Sequence, residues 1–180
     1  LLIEHSPKTE FDWLFIMQHY GVPTRLLDWS ESPLIGLYFT VISHPRNDGT
    51  LWILKPKELN KQTTAKEDEA RYIPAFEDEA VQSYSTRSVG GSALTGILPI
   101  AVTATRNNNR IQAQLGAFTI SHSDKTPIEK IGDKEHVIRY TIPASAKLQI
   151  KEDLRLLGLT KFQVFPELDS IGENIREAIS

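Results

Sequence analysis

The sequence predicts an α+β fold, a mixed or antiparallel sheet flanked by N-terminal and C-terminal helices, and three observations support it. Helical periodicity marks the segment around Trp13–Tyr20 and returns beyond Ser145. Between these lie short strand-like runs separated by hairpin-like turns. No regular alternation of strand and helix marks out parallel βαβ units, and no internal repeat is visible.

The first helix starts at an N-cap, Thr9, with Asp12 three residues later completing a capping-box pattern. Trp13, Ile16, Met17 and Tyr20 recur at helical spacing and are expected to form the apolar stripe, widened by Phe11, Leu14 and Phe15. Gly21 suits the left-handed position after a helix, and Pro23 prevents continuation. Gln18 and His19 therefore fall in the last turn, at the mouth of a loop.

Ser32 and Pro33 are a cap and a first helical residue, opening a second helix through Ile42. Its apolar residues cover nearly every face, so it is expected to be buried on most sides. Gly36 in its interior costs about 1 kcal/mol relative to Ala, which predicts a closely packed neighbour. After the turn His44-Pro45-Arg46-Asn47-Asp48-Gly49, Leu51–Leu54 reads as a strand. Residues 55–95 mix both charge signs and are read as a solvated excursion with one or two short helices, ending in a flexible Ser88–Ser92.

Strands are predicted at Ile97–Val102, Arg110–Ile120 and Val137–Ile142, with a turn at Asn107–Asn109. In the middle one, apolar residues change parity between Leu115 and Phe118. A bulge at Gly116 would restore one apolar face and point Gln112 and Gln114 together to the other. A helix follows from about Ser145, with Leu148, Leu154 and Leu157 expected to face inward and Gly158 as its stop. Phe165-Pro166 opens a last one carrying Ile171, Ile175 and Ile179.

One chain of 180 residues is the size of a single domain, residues 1–180. A net charge of −3 lacks the basic footprint of a DNA-binding domain. The longest apolar run, Pro33–Ile42, is too short to cross a bilayer, so no membrane partner is expected. Absent cysteine excludes disulfides, thiolate metal sites and a cysteine nucleophile, and suits a cytoplasmic location. The chain starts at Leu1 rather than Met, so an upstream segment is expected to be missing.

No Gly-rich phosphate loop, nucleophile elbow or His-Glu-x-x-His is present. His5, His44, His122 and His136 are scattered without ligand spacing, and no metal is expected. The candidate chemistry lies in QHYGVPTRLLDWS, residues 18–30, and in Arg110–Phe118. Arg25 beside a tight turn suits a bidentate clamp on phosphate or carboxylate, or an internal salt bridge to Asp28 or another buried acid. Asp28-Trp29-Ser30 reads as a cap beside a core tryptophan, or as part of a binding surface. His19 at a helix C-terminus has its protonated form favoured by the dipole.

The run W-x-x-x-x-Q-H-Y-G-x-P-T-R-L-L-D-W-S-x-S-P-L, Trp13 to Leu34, resembles the signature of the FRG domain family. Three further pieces agree in order: Arg110-Ile111-x-x-Gln114-x-Gly116-Ala117-Phe118, the Ile142-Pro143 helix entry, and Leu157-Gly158-Leu159 with Phe165-Pro166-x-Leu168. The family's Phe/Tyr-Arg-Gly motif does not occur in this chain. A weaker, fold-level resemblance is to ADP-ribosyltransferases, with Thr24–Phe39 as the strand leading into a helix and Gln112-Ala113-Gln114 as the late strand.

Together these resemblances imply a nucleotide-binding, ADP-ribosyltransferase-like enzyme acting on NAD⁺. Arg25, His19 and Gln114 would be its catalytic set. Gln18, Tyr20, Thr24, Asp28, Trp29, Ser30, Arg110 and Gln112 would contact the nucleotide. Gln114 stands where a carboxylate is usual, and an amide offers hydrogen bonds without negative charge. A non-catalytic module recognising a protein or nucleic-acid target, within a bacterial stress or phage-defence protein, is the alternative. A purely internal Arg25–Asp28–Trp29 network is a third.

Overall fold

A computed structural model describes residues 7–63, 72–91, 96–104 and 109–166. The fold is α+β. In chain order the elements are α1 (Glu10–His19), β1 (Leu26–Ser30), α2 (Pro33–Ile42), β2 (Gly49–Leu54), α3 (Pro56–Thr63), α4 (Glu79–Gln82) and α5 (Thr86–Gly91). They continue with β3 (Ile100–Thr103), α6 (Asn109–Ala113), β4 (Gly116–Ile120), a 3₁₀ turn at Ile128–Lys130, β5 (Val137–Ile142), α7 (Ala144–Leu156) and α8 (Lys161–Val164).

The chain divides into two compact units. The first comprises Leu1–Asp28, Lys55–Thr103 and Phe118–His136, and the second comprises Trp29–Leu54, Ala104–Ala117 and Val137–Ser180. A three-stranded sheet has the order β1-β4-β3. Ser121 N–H donates to Arg25 O at one end of the β1/β4 pair, and Glu31 N–H to Leu115 O at the other. That pair is therefore antiparallel.

In the first unit, α1 begins as its capping box requires. Asp12 N–H donates to Thr9 Oγ1 at 3.1 Å, and Thr9 N–H donates back to Asp12 Oδ2 at 2.9 Å. Phe11 and Leu14 are buried, and Phe15 meets Phe76 edge-on at 4.9 Å and Phe118 at 5.0 Å. The stripe expected to face inward is the other one: Trp13 is 53% and Tyr20 54% exposed. Helix α1 is apolar on two opposite faces, so periodicity alone does not choose between them.

The charged stretch 55–95 is not wholly solvated where it is described. It supplies Leu59, Phe76, Val81 and Tyr84 to the core. Buried Asn60 imitates a neighbouring strand, accepting from Ala101 N–H at 2.7 Å and donating to Ala101 O at 3.0 Å. This satisfies backbone groups of β3 that would otherwise be buried and unpaired. Helix α5 occupies Thr86–Gly91, where a flexible end was expected.

In the second unit, Ser32 Oγ accepts from Ile35 N–H and Pro33 holds the first helical position of α2, as expected. Strands β2 and β5 pair antiparallel, with Gly49 opposite Ile142, Leu51 opposite Tyr140 and Leu54 opposite Val137. A Cβ on Gly36 would lie 3.3 Å from Leu51 Cδ1, the close neighbour that its interior position predicts. The core joins Ile35, Tyr38 and Val41 of α2 to Leu154 of α7 and Val164 of α8. Gly158, at φ +85°, stops α7, but of the leucines expected to face inward only Leu154 is buried, Leu148 and Leu157 being exposed.

The strand expected at Arg110–Ile120 is instead helix α6, a turn at Gln114-Leu115, and β4 from Gly116. The parity change marks that turn, not a bulge. Leu115 adopts φ +45°, and a Cβ on Gly116 would lie 3.2 Å from Ile111 Cγ2, so the chain doubles back tightly there. Gln112 and Gln114 therefore do not share a strand face. Strand β3 also begins later than expected, at Ile100. The turn residues Asn107 and Asn108, and the last helix with Ile171, Ile175 and Ile179, lie outside the described residues.

Candidate functional site

The polar residues of the 18–30 stretch fall into two groups, one in each unit. In the first unit, the end of α1 is tied to β1 by side chains. Gln18 Nε2 donates to Asp28 Oδ1 at 2.6 Å, and Thr24 Oγ1 donates to Gln18 Oε1. Thr24 Oγ1 in turn accepts from Leu26 N–H at 3.1 Å. The turn between them needs Gly21 at φ +74°, which lets Val22 N–H reach back to Met17 O at 2.9 Å.

Arg25 is directed into the protein. Its Nη1 donates to Ser121 O and its Nη2 to Tyr84 O, each at 2.8 Å. The salt bridge to Asp28 allowed by the sequence does not form, and Asp28 is held by Gln18 instead. Burial lowers the pKa of Arg25 from its ordinary value, and the carboxylate of Glu10 opposes that shift. Two carbonyls spanned by one planar fork give the arginine fixed geometry without a counter-charge in contact.

Two residues that the sequence did not single out complete this cluster. Tyr84 donates its hydroxyl to Leu98 O at 2.7 Å, and burial pushes its phenol pKa upward. The ring of His122 stands edge-on to Tyr84 at 5.3 Å. His122 is 8% exposed, and its Nδ1 has no partner among the described residues. Burial lowers its pKa; the backbone of Ser83 raises it and the Arg25 charge lowers it further. Neither residue could have been found by motif, because Arg25 contacts backbone oxygens and a lone histidine carries no spacing.

His19 and Tyr20 remain at the surface, ring centroids 5.0 Å apart and nearly perpendicular. Trp13 and Tyr20, seven residues apart, share the outward side of α1, while exposed His19 follows inward-facing Phe15 by one turn. Val22 is exposed beside them in sequence.

In the second unit, Ser30 Oγ donates to Gln114 O at 2.7 Å and accepts from Ser32 N–H at 3.1 Å. Gln114 Nε2 donates to Val164 O at 3.2 Å. The Arg110 guanidinium lies over the Phe165 ring, 5.1 Å from its centroid. Trp29 is half-buried and Gln112 is exposed on α6. Ser30 and Gln114 thus connect the end of β1, the turn after α6, and α8 through backbone acceptors.

Among the described residues, no group of three or more His, Asp or Glu side chains is placed to hold a metal ion. No described helix is long and apolar enough to cross a membrane.

The FRG domain family model matches residues 2–49, which include the whole Trp13–Leu34 signature. No curated protein and no solved structure matches the chain.

Proposed function

FRG domain sequence is present at residues 2–49, and from that premise we propose that this chain is a non-catalytic recognition module that docks a protein partner through the outward side of α1. The observation that carries the reading is the direction of the signature's hydrogen bonds. Gln18, Thr24, Arg25, Ser30 and Gln114 all bond to protein groups of their own unit. Residues bonded in this way set the shape of a loop. What the loop and helix then present outward is Trp13, Tyr20 and His19, a type of surface enriched at protein interfaces. The acidic balance of the chain favours a protein over a nucleic acid as the partner.

A second reading, an ADP-ribosyltransferase-like enzyme acting on NAD⁺, has one observation in its favour: β1 carries Ser30 directly into α2. Its chemistry breaks the nicotinamide–ribose bond through a cationic, oxocarbenium-like transition state, which a carboxylate steadies. Against it, Gln114 lies in a turn after α6, its amide bonded to Val164 O.

Incubating the full-length protein with NAD⁺ labelled in both the nicotinamide and the adenine separates the two. The recognition reading expects neither nicotinamide release nor a labelled product. Release above a buffer blank, lost in Arg25→Ala, overturns it. A photo-crosslinking residue at position 13 is expected to give one discrete protein adduct in cells, whereas one at exposed Lys57 gives none.

A further inference from the structure

The second unit holds a cavity of about 390 Å³ where α2 ends and β2 begins. Thr40, Asn47, Asp48, Thr50 and Lys147 line it. Lys147, on α7, is only 3% exposed, and its ammonium donates to Ser43 O at 2.9 Å and His44 O at 3.3 Å. Ser43 is the C-cap of α2 and His44 follows it, so the lysine sits at the carbonyl end of that helix and meets the negative end of its dipole. An ammonium carries three donors, and the two carbonyls engage two. Among the described residues no carboxylate lies within ion-pair distance of it. A buried charge normally has a partner of opposite sign.

Asp48 lies on the same wall. One carboxylate oxygen of this exposed residue accepts from Ala144 N–H at 2.9 Å, at the start of α7, and the other, open to solvent, has no protein donor among the described residues. The Lys147 stem is held against the backbone at Gly49. A Cβ on Gly49 would lie 2.7 Å from Thr40 Cγ2 and 3.1 Å from Lys147 Cε. The wall therefore carries one positive and one negative group that are not paired with each other.

We propose that this cavity binds a small zwitterion of the α-amino-acid class, with its carboxylate on Lys147 and its ammonium on Asp48. A simple anion meets the Asp48 charge, and a simple cation meets Lys147. A ligand carrying both signs avoids either repulsion and satisfies the remaining donor and the remaining acceptor. The cavity is of the size that holds a small molecule, and Asn47 and Thr50 add polar side chains to its lining.

The test is an amide NMR titration of the ¹⁵N-labelled protein with each of the twenty L-amino acids, with propionate and ethylammonium as half-ligands. Saturable shifts at residues 47–50 and 147 are expected with at least one amino acid below about 10 mM. Neither half-ligand should reproduce them. Asp48→Asn keeps an acceptor for Ala144 N–H, so it should fold and melt like the wild type while binding about tenfold more weakly. Three results overturn the proposal: no saturable shift with any amino acid, equal shifts with propionate alone, or unchanged affinity in a folded Asp48→Asn. The first leaves Lys147 and Asp48 as helix caps only.

Discussion

Of the groups around Arg25, His122 is the one whose charge changes near neutral pH. Burial depresses its pKa below the ordinary value of 6.5, so the folded protein holds it neutral beside the arginine. The unfolded chain binds that proton more readily. The stability this difference gives is complete above the unfolded value and is lost as pH falls through the folded one. Urea midpoints should therefore drop as pH falls below the ordinary histidine value of 6.5, and His122→Phe, which cannot titrate, should flatten the drop. Identical pH slopes in the two proteins would remove His122 from the account. At this scale the sequence was only half legible. It singled out Arg25 but not the direction of its guanidinium, because its acceptors, Ser121 O and Tyr84 O, are main-chain atoms any residue supplies. It passed over His122 because burial of a single histidine leaves no local pattern.

Helix α1 puts the element scale most plainly. Its start and stop were legible from Thr9, Asp12 and Gly21, since caps are local chemistry. Its orientation was not, since Phe11, Leu14 and Phe15 form one apolar face and Trp13, Ile16, Met17 and Tyr20 the other. Which face is buried depends on Phe76 and Phe118, residues far along the chain. Phe15→Ala should cost about 3–5 kcal/mol by urea denaturation. Trp13→Ser, on the outward face, should change stability by no more than about 0.5 kcal/mol, leaving only recognition to suffer. Equal losses from the two substitutions would mean that both faces are packed. Gly49→Ala is a third case: the new methyl meets Thr40 and the Lys147 stem, and a loss of about 1–3 kcal/mol is expected from the same measurement. The Arg110–Ile120 segment misled for a physical reason. A five-residue helix closed by a left-handed Leu115 gives an alternation too short to distinguish from a strand.

For the whole molecule, the α+β class was legible because it needs only the kinds of element present. The division into two units was not, since each unit draws on three separated stretches of chain. Nor was the core contribution of residues 55–95, where Leu59, Val81 and Tyr84 are spaced among charges that dominate the composition. Gln18, Thr24, Arg25, Ser30 and Gln114 each bond to protein groups of their own unit, and the recognition reading assigns them no nucleotide to hold. Adding about 1 mM NAD⁺ should therefore leave the melting temperature unchanged. A rise of several degrees would show specific binding to the folded chain and favour the enzyme reading.

The central claim is that the signature arginine holds the loop in shape, and urea unfolding of Arg25→Ala tests it most directly. Two charge-assisted bonds to Ser121 O and Tyr84 O are lost together, so a stability loss of about 3 kcal/mol is predicted, only partly recovered in Arg25→Lys, whose ammonium lacks the fork. An Arg25→Ala protein that unfolds at the wild-type urea concentration would contradict the claim and return Arg25 to the role of a ligand clamp.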